Sequence, residues 1–450
     1  MADQDQFTEP NGLPGAIDRE IRRLALPALG SLLAEPLLIA VDSAMVGHLG
    51  TTPLAGLSLA STILTTVVGL CIFLTYATTA ATARLHGAGH TDRAIRQGVD
   101  GIWLAAVLGL VLGVILFIFA SPLLQLFNPE PQVLEQAIHY LRASAFGLPG
   151  MLLVLAATGA IRGLGNTTTP LYATTAGALF NIPLTYSLIY IAHFGIAGAG
   201  AGTAIAQTFM GTWLCAVVVK KAREHNTSLL PSGAGVLTSV KDAGPLIVRT
   251  ISLRLAILLQ ISVATSMGTV ALASNQITMS FWNFAAFGLD ALATSAQILV
   301  GQGLGSGKKA RVRAVLNRCL NRGVYYGTWL GVAMFALSWI LPILMTSDPE
   351  VHALATHTMW VTALAMPIAS VAYMLDGVLI GAGDTRRLAI YMVVALAGFA
   401  PVALIIQVLA TGATGQILLW AAYALIFMSL RGVTMFFRVR GEEWMKLGLK

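Results

Sequence analysis

The residue with the clearest capacity for chemistry is a carboxylate that lies inside an apolar stretch. Asp42 sits within Leu37–Gly47, in an apolar run that begins near Leu24. A charged side chain at bilayer depth costs roughly 2.5–3.5 kcal/mol, so it usually faces a cavity and takes part in ion or proton movement. The sequence therefore predicts that Asp42 is a functional residue and that it faces a cavity and not lipid. The alternative is that an unidentified partner neutralises this acid and that it only holds helices together.

The helix that carries Asp42 has two further features. Glu35 lies seven residues earlier, which is two turns of helix and nearly the same face, so that face is expected to line a cavity. A purely structural role for Glu35 is the alternative. Pro27 and Pro36 each remove a backbone donor and are expected to bend the helix.

Two later apolar segments add polar side chains at helical spacing. Asn181 and Thr185 are four residues apart beside Pro183, and Thr203 and Gln207 have the same spacing. We expect these four side chains to complete a polar lining around the buried acid. Interhelical hydrogen bonding without any transport role is the alternative for each of them.

Composition identifies the class of protein that must position these groups. Apolar residues make up 56% of the 450 residues and charged residues only 10%, with a mean hydropathy of +0.77. These values exclude an ordinary soluble domain and predict an all-α integral membrane protein. The three well-separated cysteines suggest neither a disulfide framework nor a zinc site. The first 20 residues lack an apolar core, so no cleavable signal peptide is expected.

Twelve apolar runs are long enough to cross roughly 30 Å of hydrocarbon, and they predict two lobes of six transmembrane helices. The runs lie at about 24–48, 54–83, 101–121, 133–161, 169–192, 197–219, 244–267, 270–302, 321–342, 354–382, 387–408 and 413–437. The predicted segments are a tail at 1–23, an N-lobe at 24–219, a linker at 220–243, a C-lobe at 244–437 and a tail at 438–450.

The two halves form an internal repeat, in which equivalent residue numbers differ by a constant offset of 218, without gaps. The matching positions are rich in proline and glycine, as in Pro27/Pro245, Gly50/Gly268, Gly89/Gly307, Gly109/Gly327, Pro149/Pro367 and Gly165/Gly383. Because each repeat holds an even number of spans, the two halves have the same orientation and are related by an axis along the membrane normal. The substrate path is expected between them.

Basic residues predict the orientation. Of the 27 Lys and Arg residues, 23 lie in the tails and the even-numbered connections or at their edges, and none lies in an odd-numbered connection. The positive-inside rule then places both termini and the linker in the cytoplasm, in a cell (inner) membrane. The net charge of +7 is therefore a set of topological markers, and no nucleic-acid partner is expected.

The second half has different polar residues. The position equivalent to Asp42 is Gln260, and the seventh span carries Arg249 and Arg254. Since a buried Arg needs an anion, we expect Arg254 to pair with Asp290 or Asp376 in a buried charge network, or else to line the pathway. Arg431 lies near a predicted span end and is expected to reach the interface.

Four motifs resemble those of one transporter family. They are Asp42-Ser-Ala-Met-Val-Gly-His-Leu-Gly50, Gly159-Ala-Ile-Arg-Gly163-Leu-Gly-Asn-Thr167, Asn181-Ile-Pro183 and Val300-Gly-Gln302-Gly-Leu-Gly305. With the repeat and the spans, they make residues 20 to 440 similar to the multidrug and toxic compound extrusion (MATE) family, in the branch named for DNA-damage-inducible protein F.

The resemblance implies a function and roles for particular residues. It implies export of amphiphilic, often cationic compounds in exchange for protons or sodium. It further implies that Asp42 is the coupling carboxylate, that Asn181 and Thr203 are its companions, that Tyr140 is a pocket residue and that Pro27 bends the first helix. Thr185 stands where some members have a second acid, so a mechanism with two carboxylates does not transfer to this chain.

The sequence thus predicts a proton-coupled antiporter with no catalytic residues, no metal site and no cofactor beyond the coupling ion. Sodium remains the alternative ion, and a lipid-linked oligosaccharide flippase of the same superfamily is the rival function. An intramembrane enzyme is disfavoured because no nucleophile-and-base or metal motif lies at membrane depth. Amphiphilic small molecules and membrane lipids are the expected partners, and the protein is expected to act as a monomer.

Overall fold

The fold is built entirely from helices over the part of the chain that can be described. The computed structural model describes residues 14–448, apart from the side chains of Pro14, Glu35 and residues 234–242. The helices of the first half are α1 Pro14–Gly47, α2 Thr51–Leu70, α3 Phe73–Gly87, α4 Thr91–Ile118, α5 Ala120–Gln125, α6 Pro131–Ala145, α7 Leu148–Gly163, α8 Thr168–Tyr186 and α9 Gly195–Glu224. The helices of the second half are α10 Gly233–Ser266, α11 Thr269–Gly305, α12 Lys309–Leu337, α13 Leu341–Met345, α14 Pro349–Ala382, α15 Thr385–Leu409, α16 Gly412–Ala421 and α17 Met428–Arg440. Short π-helical segments, Ser187–Ile191 and Ala422–Phe427, follow α8 and α16.

Each of the twelve predicted runs coincides with a helix or a pair of helices. Among the described residues, nine helices are long and apolar enough to span a membrane, and the number is ten if the bent pair α6 and α7 forms one span. Helices α8 and α12 are outside this set, and both carry polar or basic side chains along part of their length. The chain is therefore a multi-pass membrane protein, and twelve crossings stay a prediction.

The chain folds into two compact units. The first-half unit is Leu26–Ala243, and the second-half unit joins the residues up to Ala25 to those from Gly244 to Gly448. Helix α1 therefore begins in the second-half unit. There Asp18 accepts hydrogen bonds from both Arg318, at 2.7 Å to Nε, and Arg322, at 2.9 Å to Nε. These ion pairs hold the start of α1 against α12.

The backbone repeats at the offset found in the sequence. Three pairs of glycines at equivalent positions of the two halves adopt positive φ: Gly50 and Gly268 (128° and 106°), Gly89 and Gly307 (82° and 69°), Gly165 and Gly383 (82° and 69°). Positive φ is costly for residues with a Cβ, which explains why glycine occupies both members of each pair. Helices α2 and α11, α4 and α12, and α6 and α14 also begin at equivalent positions.

Glycine also sets how closely the helices pack within each unit. A Cβ at Gly109 on α4 would lie 2.6 Å from the Cα of Pro149 on α7. At the equivalent place in the second-half unit, a Cβ at Gly327 on α12 would lie 3.0 Å from the carbonyl oxygen of Met366 on α14. The two units thus use the same small-residue contact to bring equivalent helices together.

The helices differ from the predicted runs at two connections. Helix α10 begins at Gly233, so the segment without helix between α9 and α10 is limited to residues 225–232. The equivalents of α11 and α14 are each interrupted in the first half, as α2 with α3 and as α6 with α7. The α6–α7 break bends the chain by 49°.

Candidate functional site

Asp42 lies on α1 and is almost completely buried. Its Oδ2 accepts a hydrogen bond of 3.1 Å from the hydroxyl of Thr203 on α9. Its Oδ1 is buried and has no hydrogen-bond partner among the described residues. The carboxylate therefore has capacity for one further proton or ligand.

The hydroxyl of Thr203 has two acceptors within reach. It lies 3.1 Å from Asp42 Oδ2 and also 3.1 Å from the backbone oxygen of Ala199, one turn earlier on α9. A hydroxyl has one proton to donate, so the two acceptors compete for it. Thr203 can thus donate its proton either to the charged carboxylate of Asp42 or to the backbone oxygen of Ala199.

Tyr140 on α6 lies in the same place. It is buried, and it is close enough to Asp42 to interact with it electrostatically. Helix α9 can approach α6 because Gly200 has no side chain: a Cβ there would lie 2.7 Å from the backbone oxygen of Tyr140. The structure thus brings Asp42, Thr203 and Tyr140 together, and their roles in transport stay predictions.

Asn181 and Thr185 form a second polar pair on α8. Both are buried, and the Thr185 hydroxyl donates to Asn181 Oδ1 over 3.4 Å. Among the described contacts, neither is hydrogen-bonded to Asp42. Gly202 gives this pair its place, since a Cβ at that position would collide with Thr185.

The structure shows fewer contacts for the remaining predicted residues of the first half. Gln207 is partly buried and forms no hydrogen bond with a described residue. Pro27 and Pro36 lie inside α1, which is helical without interruption, and the predicted bends remain predictions. Glu35 is on the same helix, but its side chain lies outside the described part of the structure.

Tyr190 is a neighbour that the sequence did not reveal. Its hydroxyl donates to the backbone oxygen of Met45 over 2.6 Å, three residues after Asp42 on α1. It belongs to the π-helical segment Ser187–Ile191, and such segments occur frequently at functional sites. In the sequence it looked only like an aromatic residue near a span end.

Comparison with protein families identifies the family to which this chain of two repeated halves belongs. The MatE family model matches twice, over residues 27–187 and 245–408, so the two matches begin at equivalent positions of the two halves. The chain belongs to the MatE family. Members of this family are transporters of the multidrug and toxic compound extrusion class, and the chain is therefore a membrane transporter and not an enzyme.

Relatives of this MatE chain include plant and bacterial proteins. Protein DETOXIFICATION 44, chloroplastic, of Arabidopsis thaliana is 31% identical over 448 residues, which cover 95% of this chain and 83% of that protein. The MATE transporter VcmN of Vibrio cholerae, in its bent form, superposes with a TM-score of 0.87 at 21% identity, covering 96% of this chain and 98% of that one. The second likeness establishes the fold.

In this MatE protein the position equivalent to Asp42 holds a neutral amide network. Gln260 on α10 donates to Asn275 Oδ1, on α11, over 2.5 Å, and Gln416 on α16 donates to the same oxygen over 2.9 Å. All three side chains are buried. All three side chains are neutral amides, so these residues place no titratable group at this position, and Oε1 of Gln416 is buried without a hydrogen-bond partner among the described residues.

The predicted Arg254 pair is wrong. Arg249, five residues earlier on α10, forms the buried ion pair with Asp376 on α14, and its Nε donates to Oδ1 over 2.9 Å. Arg254 is exposed and makes no ion pair or hydrogen bond with a described residue. Asp290 is partly buried and interacts electrostatically with Tyr373 on α14.

The prediction that Arg431 reaches the interface is also wrong. Only 2% of this residue is exposed, and its guanidinium lies over the rings of Tyr373, at 5.3 Å, and Phe427, at 5.7 Å. One nitrogen donates to the sulfur of Met428 over 3.3 Å. Aromatic faces thus stabilise this buried cation, which sequence position alone could not show.

Proposed function

We propose that this MatE protein is a proton-coupled antiporter that exports amphiphilic, cationic small molecules by alternating access, with Asp42 as the coupling carboxylate. The observation that carries the proposal is the carboxylate itself: it is buried, one oxygen accepts from Thr203, and the other has no partner among the described residues. Burial penalises the charged form of any carboxylate, so such a group exchanges readily between proton and cation.

The hydroxyl of Thr203 supplies a way to accommodate both states of the acid. When Asp42 is charged, Thr203 donates to Oδ2. When Asp42 is protonated, its new O–H donates to the Thr203 oxygen, and the Thr203 proton turns to the backbone oxygen of Ala199, at 3.1 Å. Every donor then has an acceptor in either state, so proton loading leaves no buried hydroxyl unsatisfied.

The choice of the proton over sodium rests on the available oxygens. Hard cations take several oxygen ligands at once. Among the described contacts, Asp42 has the hydroxyl of Thr203 near it, while Asn181 Oδ1 already accepts from Thr185. In the second half, Asp376 is occupied by Arg249. A proton needs only one carboxylate.

A cationic substrate follows from the same group. A buried carboxylate attracts a positive charge, and the buried ring of Tyr140 is close enough to interact with it electrostatically. Drug and proton would then compete for Asp42, and this competition couples their movements. The distribution of basic residues favours a cell membrane orientation with both termini in the cytoplasm.

The test uses purified protein in vesicles that contain a fluorescent cationic dye. A pH gradient alone should drive dye transport by the wild type, and a sodium gradient at fixed pH should not. Asp42→Asn should abolish the pH-driven transport while the melting temperature stays within a few degrees, because the amide keeps the shape and cannot titrate. Glu130→Gln, at an exposed acid before α6, is the matched control.

Two results would overturn the proposal. Dye transport driven by sodium and insensitive to a proton ionophore would assign sodium as the coupling ion. Normal pH-driven transport by Asp42→Asn at normal expression would show that the carboxylate has a structural role.

A further inference from the structure

A cavity outside the transport site lies in the first-half unit. It has a volume of about 610 Å³ and is formed by the first turns of α4 together with the connection 225–232. Its polar lining includes Arg93, Arg96, His225 and Thr227. Nothing in the coupling mechanism proposed above uses this cavity.

The cationic groups of the cavity have no carboxylate partner among the described residues. Arg93 and Arg96 are three residues apart on α4 and so lie on one side of it, and neither makes an ion pair with a described residue. His225 uses Nδ1 to contact the backbone oxygen of Lys221, at 3.0 Å, which leaves Nε2 for another partner. Thr227 Oγ1 is buried and has no hydrogen-bond partner in the described part of the chain.

The two carboxylates that line the cavity differ in burial and in hydrogen bonding. Asp100 is almost fully buried, and Ser232 donates to both of its oxygens, from the backbone nitrogen and from the hydroxyl, each at 2.7 Å. Asp92 is exposed on the first turn of α4. The buried acid is thus committed to holding the connection 225–232 in place, and the arginines are left to a ligand.

The two halves differ in the segment that follows their last long helix. Trp444 and Met445, four and five residues after the end of α17, are both buried, whereas Asn226 is exposed and Thr227 is partly buried two and three residues after the end of α9. Trp444 Nε1 donates over 3.1 Å to the backbone oxygens of Val439 and Gly441. Large side chains are thus buried in the segment after α17, whereas small polar residues follow α9.

An ion pair also engages the second-half equivalent of one charged position of the cavity. Arg311, which corresponds to Arg93, pairs with Glu20 over 3.3 Å. Lys309 lies 2.7 Å from Glu442 and holds the pKa of that carboxyl below its usual value. The equivalent of Arg93 is therefore neutralised in the second half, whereas Arg93 itself makes no ion pair with a described residue.

Trp103 indicates the depth of the cavity. It lies two turns along α4 from Arg96, is 44% exposed, and donates from Nε1 to the backbone oxygen of Leu229 over 2.9 Å. Exposed tryptophans concentrate at the level of the lipid headgroups. The cavity then lies at headgroup level on the face that the basic residues predict to be cytoplasmic.

We propose that this cavity binds a phosphate-bearing ligand, either an anionic lipid headgroup or a soluble phosphate. Guanidinium groups bind phosphate through paired, charge-assisted hydrogen bonds, and a phosphate has several oxygens to accept from Arg93, Arg96, His225 and Thr227 at once. The amino end of the long helix α4 adds a favourable partial positive charge. Binding here is independent of Asp42 and of the coupling ion.

The experiment measures ligand binding to the full chain without transport. The protein is placed in nanodiscs of phosphatidylcholine alone, or with one fifth phosphatidic acid, or in phosphatidylcholine with added inorganic phosphate. Thermal unfolding and the affinity for each probe are recorded. At least one probe should raise the melting temperature of the wild type in a saturable way.

Two variants and a control define the site. Arg96→Gln should lower the affinity about tenfold for the probe that stabilises the wild type, because one charge-assisted interaction is lost. Thr227→Val keeps the shape of the side chain and removes the unpaired hydroxyl. It should lower the affinity for the same probe severalfold, with little change in the melting temperature of the protein without ligand. Arg223→Gln, at an exposed basic residue outside the cavity, should bind as the wild type does.

The outcomes separate the two sources of phosphate. An effect of phosphatidic acid alone, lost in Arg96→Gln, identifies a lipid site, and an effect of inorganic phosphate with the same dependence identifies a soluble ligand. No saturable effect of either probe, or equal weakening by Arg96→Gln and Arg223→Gln, would overturn the proposal.

Discussion

Thr203 is the single hydrogen-bond contact that the described residues offer to the Asp42 carboxylate, and this makes it the residue with the sharpest predicted effect. Thr203→Val should lower pH-driven export about tenfold, because a buried oxygen loses its hydrogen bond and such bonds to charged groups contribute roughly 1.5–3 kcal/mol. Thr203→Ser keeps the hydroxyl and should retain most of the export. The measurement is dye transport in vesicles at matched protein content, and a loss in Thr203→Ser with export retained in Thr203→Val would show that the methyl group matters instead.

The buried ion pair of the second half gives a prediction about stability. Arg249→Ala should destabilise the protein by roughly 3–5 kcal/mol, because it leaves Asp376 buried without its ion-pair partner. Arg254→Ala, on the same helix but exposed, should change stability by about 0.5 kcal/mol or less. Thermal unfolding in detergent measures both.

The double variant Arg249→Ala with Asp376→Ala refines this test. Removing both charges should recover part of the stability lost by Arg249→Ala alone, since no uncompensated charge remains. A double variant less stable than the single one would show that Asp376 has another essential partner.

At the scale of elements, small residues on α9 hold the coupling site together. Gly200→Ala places a Cβ 2.7 Å from the backbone oxygen of Tyr140, and a backbone atom cannot move aside as a side chain would. We expect α9 to shift from α6, with a lower melting temperature and weaker export. Gly244→Ala is the matched control, since no atom lies within 4 Å of its Cβ and alanine favours helix by roughly 0.5–1 kcal/mol. The Gly200 prediction fails if both variants unfold and transport alike.

At the scale of the whole molecule, the distribution of basic residues predicts the topology. After Cys71, Cys215 and Cys319 are replaced by alanine, a cysteine introduced at Pro131 or Thr411 should react with an impermeant thiol reagent added outside cells. A cysteine at Ser232 or Lys309 should react only after the membrane is opened. The reverse pattern would invert the orientation and place the cavity lined by Arg93 and Arg96 on the outer face.

Much of the architecture could be predicted because it depends on local sequence. Apolar runs mark the helices, and glycines such as Gly50 and Gly268 recur at one offset because each must adopt positive φ. Asp42 was equally visible, since a charge in an apolar run is rare and costly. The end of the connection 225–232 was less predictable. Residues 234–242 interrupt the apolar pattern and are therefore predicted to belong to the linker, but polar residues can form the first turns of a helix whose later turns are apolar, as in α10.

Which polar groups meet was decided only by the tertiary structure. Arg249 and Arg254 are five residues apart, so their directions on α10 differ by about 140°, and nothing in the sequence says which direction faces α14. Thr203 and Gln207 share a face of α9 but differ in height by about 6 Å, and only Thr203 is level with Asp42. The sequence determines the spacing of side chains along each helix, whereas the rotation and depth of one helix against another follow from packing over its whole length.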